Sequence, residues 1–121
     1  MGSKITSYRD LIVWQKAMLL ANEIYKLTAK FPQEEKFGLV SQMRRCAVSI
    51  ASNIAEGSCR SSRKDYRNFI LIAFGSGAEL ETQSEIAKNL SFIDEKEFVK
   101  TAILLQEIMR MLNALAEKLN S

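Results

Sequence analysis

"GLVSQMRRCAVSIASNIAEGSCRSSRKDY", Gly38 to Tyr66, decides the fold, because it contains one amphipathic segment, the turn that ends it and the start of the next. Val40, Met43, Ala47, Ile50 and Ile54 recur at steps of three and four, the spacing of one helix face. The segment runs from about Gly38 to Glu56, and Gly57 is placed to stop it as a left-handed C-cap. A further helix begins after Ser61 or Ser62, whose hydroxyl can take the first free N–H groups, and Asp65, three residues beyond Ser62, fits a capping box. Around that start the chain crowds Arg60, Arg63, Lys64 and Arg67.

The same periodicity extends outward. Upstream, Leu11, Trp14, Met18, Ala21, Tyr25 and Thr28 form a stripe between Asp10 and Lys30, and Phe31-Pro32 closes it because a residue before proline is pushed out of the α region. Downstream, the third segment carries Tyr66, Phe69, Ile70, Ala73, Gly77, Leu80 and Ala87. Gly75 and Gly77 raise a choice there: a break in the helix, or small residues that admit a close neighbour. The fourth starts at Asp94, with Glu97 completing a capping box, and continues through Phe98, Leu105, Ile108, Leu112 and Ala116. No segment of useful length alternates with period two. Four amphipathic helices with short connections predict an all-α fold, an antiparallel up-down-up-down four-helix bundle.

Composition agrees with that class. The chain of 121 residues is 47% hydrophobic and 26% charged, with five Gly and a single Pro, which leaves little material for loops. Its size suits one domain over residues 5–121, with Met1 to Lys4 set aside as an expression remnant. Cys46 and Cys59 lie too far apart along one helix to pair and are expected to be reduced. No apolar run reaches the roughly 20 residues needed to cross a bilayer. A cytoplasmic location without membrane contact is expected.

The chain has no histidine, which removes the usual general base near neutral pH and the commonest metal ligand. Two isolated cysteines do not make a zinc site, and Glu79, Glu81 and Glu85 lack the Glu-x-x-His partners of a bundle-core di-metal centre. No cofactor and no enzymatic activity are expected.

Charge is uneven although the total is only +3. Between Gly38 and Ala78 six basic residues, Arg44, Arg45, Arg60, Arg63, Lys64 and Arg67, face two acidic ones, Glu56 and Asp65. Between Glu79 and Glu97 six acidic residues face Lys88 and Lys96. Arg63 and Lys64 oppose the dipole of the helix they begin, and such conflicts often mark function. One reading is phosphate binding at a helix start, which makes Arg60, Arg63, Lys64, Arg67, Arg44 and Arg45 candidate nucleic-acid contacts. The other is internal pairing, with Glu56 opposite Lys64 or Arg67, and Arg44 and Arg45 near Glu79 and Glu81. Asn53 is expected to bond across to the third helix or to a turn, and Trp14 and Phe31 to sit in the core.

"DLIVWQKA", "IYKLTAKFP", "FGLVSQMRRCAVSIASNIAEG" and "GSGAELETQSEIAKNLSFI", in that order from about Tyr8 to Leu119, resemble the four-helix-bundle family encoded by intervening sequences in bacterial 23S ribosomal RNA genes. The resemblance implies a homopentameric barrel. It also implies kinship with accessory factors of the reverse transcriptase in diversity-generating retroelements, which bind nucleic acid through a basic surface. The family's motif residues fall on Gln42, Arg44, Arg45, Ser49, Asn53, Glu56 and Gly57, and on Glu79, Glu81, Thr82 and Gln83. Three positions depart from its pattern: Ala51 where Pro is frequent, Ser84 where Leu is expected, and Ser91 in place of Gly. The expected function is therefore backbone-directed nucleic-acid binding by an oligomer, with a reverse transcriptase as a possible partner. A protein-interaction scaffold without nucleic-acid contact is the alternative.

Overall fold

The computed structural model describes residues 7–120, and the Met1 to Lys4 segment lies outside them. After a 3-10 turn at Tyr8–Asp10 come helices α1 (Ile12–Thr28), α2 (Leu39–Ser58), α3 (Arg63–Asn89) and α4 (Glu95–Lys118), with a second 3-10 turn at Gln33–Glu35 before α2. Each helix packs on its chain neighbours and α4 closes back on α1, so the four form the expected up-down-up-down ring. There is no strand among the described residues.

Local chemistry sets the helix starts. Ser62 Oγ accepts from the Asp65 N–H at 3.0 Å and begins α3. At α4 the capping box is complete: Asp94 accepts from the Glu97 N–H at 2.7 Å, and the Glu97 carboxylate accepts from the Asp94 N–H at 3.1 Å. The core runs the length of the ring, with Leu20, Ile24, Met43, Ile50, Ile54, Ile70, Leu80, Leu105, Ile108 and Leu112 fully buried. Each such side chain contributes about 1.5–3 kcal/mol of transfer free energy, which outweighs any single surface interaction in the molecule.

Four expectations need correction. In α1 the buried stripe is Val13, Ala17, Leu20, Ala21, Ile24, Leu27 and Thr28, while Met18 and Tyr25 are exposed. The helix is apolar around more than one face, and two interleaved rows satisfy the same spacing. Trp14 packs only partly buried against the core, whereas Phe31 is buried and meets Phe92 at 5.4 Å between ring centroids.

Gly57 does not cap α2. It lies inside the helix without a positive φ, and the helix continues one residue past it. A β-carbon there would come within 2.8 Å of Phe69 Cβ and 3.2 Å of the Tyr66 carbonyl, so the missing side chain is what lets α3 approach.

The glycines of α3 do not break it, since the helix is continuous through both. Gly75 faces open space, and Gly77 makes room for the Met109 side chain of α4. Asn53 stays on its own helix, donating to the Ser49 carbonyl at 2.8 Å and to Ser49 Oγ at 3.0 Å. Ser49 is the member of this pair that crosses, through a 2.9 Å hydroxyl contact with Ser76 of α3.

Candidate nucleic-acid interface

The antiparallel ring places the start of α3 beside the end of α4, and this explains why positive charge stands at a helix N-terminus. Arg63 Nη2 donates to the Lys118 carbonyl, and Arg67 Nε donates to the Ala116 carbonyl at 3.1 Å. Both acceptors belong to the last turn of α4, where carbonyls have no partner within their own helix and the dipole is negative. Arginines that are unfavourable to α3 therefore serve as caps for α4, and the conflict seen along one helix disappears across two.

The neighbouring cations are placed differently. Arg60 pairs with Glu56 one turn away at 2.8 Å and lies over the Phe69 ring, 4.7 Å from its centroid. Glu56 thus pairs with neither Lys64 nor Arg67. Lys64 is exposed and makes no hydrogen bond or ion pair with the described residues. Lys118 lines a cavity of about 600 Å³ at this end together with Arg63, Tyr8, Cys59 and Tyr66. Burial pushes the Tyr66 hydroxyl above its ordinary range, so it stays a neutral group in that wall.

Arg44 and Arg45 do not join this group. Arg44 turns toward α1, donating to Thr28 Oγ1 at 2.9 Å and to the Tyr25 carbonyl at 3.3 Å, with its guanidinium 4.5 Å above the Tyr25 ring. Neither arginine forms an ion pair with Glu79 or Glu81. Arg45 and Glu79 instead line a polar groove of about 350 Å³ on the outer side of α2 and α3, with Gln42, Ser49, Ser76 and Gln83. Cys46 borders this groove as a buried thiol whose pKa is raised by desolvation, which makes it a poor nucleophile. Cys59 is exposed, and both cysteines are free.

Among the described residues no three His, Cys, Asp or Glu side chains come together as metal ligands, and no helix is long and apolar enough to cross a membrane. Of the residues singled out from the sequence, Arg60, Arg63, Lys64 and Arg67 lie together at the α3 start, and Lys118, the last-turn lysine of the antiparallel neighbour, joins them unforeseen. The roles of Arg63 and Arg67 were equally unforeseen, because backbone carbonyls leave no mark in a residue pattern.

A family model for the 23S rRNA-intervening sequence protein matches residues 9–114, nearly the whole bundle. The chain belongs to that family. A solved structure agrees with the assignment: a protein of unknown function from the S23 ribosomal protein family of Bacteroides thetaiotaomicron VPI-5482 is 25% identical, with a TM-score of 0.79, over 87% of this chain and 98% of that one. No curated protein matches the chain. The family match extends over α1, α2, α3 and most of α4, so it includes the basic end as far as the α3 start but stops short of Lys118.

Proposed function

We propose that this member of the 23S rRNA-intervening sequence protein family is a non-enzymatic module that binds the phosphate backbone of nucleic acid at its basic end. The observation that carries the reading is the convergence of Arg60, Arg63, Lys64, Arg67 and Lys118 where α3 begins and α4 ends. Arg63 and Arg67 are held by α4, which fixes the position of their charge, and Lys64 is left exposed to meet a phosphate. Contacts of this kind read backbone, not sequence. The aromatic rings that could stack on bases are largely engaged in packing, with Tyr66, Phe74, Phe92 and Phe98 against the core.

The module acts as a homo-oligomer. Ile12 and Leu19 on α1 and Ile103 on α4 are each more than half exposed, a cost in water that a partner copy removes. Repetition by symmetry multiplies a modest patch into a polyanion-binding surface. Light scattering is expected to show an assembly at micromolar concentration, and a stable monomer would overturn this part of the proposal. Association with a reverse transcriptase would show as such a gene beside this one.

Binding is tested by titrating fluorescent structured RNA and duplex DNA at two salt concentrations, with an Arg60→Gln/Lys64→Gln variant that spares the α4 caps. Affinity is expected to fall steeply with salt, and the variant to lose about one unit of the log–log salt slope per phosphate contact removed. Absence of binding at low salt would reject the reading. The scaffold alternative draws on a different surface: Phe37, 89% exposed, stands with Tyr25 and Val48 beside Lys36, Arg44 and Arg45. Co-purification of a protein that survives nuclease treatment and is lost on Phe37→Ser would favour it.

A further inference from the structure

The cavity at the basic end is graded from a charged mouth to an apolar floor. It measures about 600 Å³, inside the range of roughly 300–1,000 Å³ that takes small organic groups. Cys59, Arg63 and Lys118 stand exposed at its mouth, Leu11 and Leu115 are half-buried walls, and Leu119 is buried. Tyr8 forms a further wall, held by the edge of the Trp14 ring at 5.2 Å between centroids. The Lys118 ammonium makes no ion pair or hydrogen bond with the described residues. The Arg63 guanidinium beside it is fixed in place by the Lys118 carbonyl. An open apolar space of this size, floored by leucines and rimmed by cations, suits a flat apolar body that carries an anion at one end.

We infer that this cavity takes one unpaired nucleobase, with the attached phosphate held at the mouth by Lys118 and Arg63. The inference rests on the backbone-binding reading above and adds a single base contact to it. A base inside a duplex is stacked on both faces and cannot enter a walled space, whereas a base in a single-stranded segment can be splayed out. Leu11, Leu115 and Leu119 accept the face of any base, so the cavity senses pairing and not sequence. An alkyl chain would fill the same walls, but the cations at this mouth belong to the group that the backbone reading assigns to phosphate. The basic end therefore prefers nucleic acid with a single-stranded segment over a continuous duplex.

The test compares three labelled RNAs at low salt: a blunt duplex, the same duplex with a short single-stranded overhang, and that overhang made abasic. Binding is read by fluorescence anisotropy. Occupation of the cavity is read by the rate of Cys59 alkylation, since Cys59 is free and exposed while Cys46 is buried. The overhang is expected to bind about tenfold more tightly than the other two, and it alone to slow alkylation at saturation. A Leu115→Trp variant, which fills the cavity from a half-buried position, is expected to bind all three RNAs with the affinity of the blunt duplex. Blunt and overhanging RNAs that bind equally and leave Cys59 equally reactive would overturn the inference while backbone binding stands. No binding to any of the three would overturn both. Protection of Cys59 by laurate and not by the overhang would also overturn it, assigning the cavity to an alkyl anion.

Discussion

The two turns that flank α3 use small residues in opposite ways. Before α3, Gly57 sits one residue inside the end of α2 with ordinary helical geometry, and its value is the space it vacates for Tyr66 and Phe69. After α3, Ser91 is the one non-glycine residue described with positive φ, at 63°, and it holds the position where a helix-ending glycine belongs. The bonds around it complete a Schellman motif: the Phe92 N–H reaches the Ala87 carbonyl at 2.9 Å and the Ser91 N–H reaches the Lys88 carbonyl at 2.9 Å. One turn thus has a glycine that needs no backbone freedom, and the other needs that freedom and has no glycine. What a glycine does is settled by its neighbours in space, and only partly by its place in a pattern.

That contrast predicts opposite signs for substitutions at the two ends of α3. Gly57→Val puts branched carbon where a single β-carbon already meets Phe69 and the Tyr66 backbone, and it should lower unfolding free energy by about 3 kcal/mol in urea denaturation. A variant as stable as the parent would show that α2 and α3 are not in close contact there. Ser91→Gly relieves a left-handed residue without disturbing the bonds of the turn and should raise stability by about 1 kcal/mol, read as a higher midpoint with unchanged slope.

Gly75 sharpens the comparison, because it is a helical glycine with nothing near its α-carbon. Gly75→Ala should therefore stabilise by about 0.5–1 kcal/mol through helix propensity alone, the reverse of the effect at Gly57. The smallest effect belongs to the Lys30–Glu97 pair, which ties α1 to the capping box of α4. The bond from Lys30 and then that from the Asp94 N–H hold the Glu97 carboxyl below its ordinary value of 4.5. A depressed carboxylate contributes stability above its unfolded pKa and loses it as pH falls through the folded one. The difference in Tm between the parent and Glu97→Gln should accordingly be present near neutral pH and close at pH values below 4.5, with a small amplitude because Lys30 is largely exposed.

The fold was largely legible from the chain. Ser62, Asp94 and Glu97 announce helix starts by local hydrogen bonding, and the steps of three and four in α2, α3 and α4 select the face that is buried. α1 misled because Met18 and Tyr25 form a row as well spaced as Ala17 and Ile24, and only the position of α2 and α4 decides between them. Gly57 misled because a capping glycine and a close-packing one look alike near a helix end. The candidate site was legible as a cluster but not as a geometry. Arg44 finds Thr28 and the Tyr25 carbonyl, and Arg63 and Arg67 find carbonyls of α4, acceptors that exist only once the ring is closed.

The central claim is that the end shared by α3 and α4 presents cations to phosphate while two of its arginines hold the bundle shut. It is tested most directly by a nitrogen–proton correlation NMR titration of the protein with structured RNA at low salt. The account predicts perturbations concentrated at residues 60–67 and 115–118 that reverse when salt is raised. Perturbations centred instead on Phe37, Val48 and the outer groove of α2 and α3, or none at all, would contradict it.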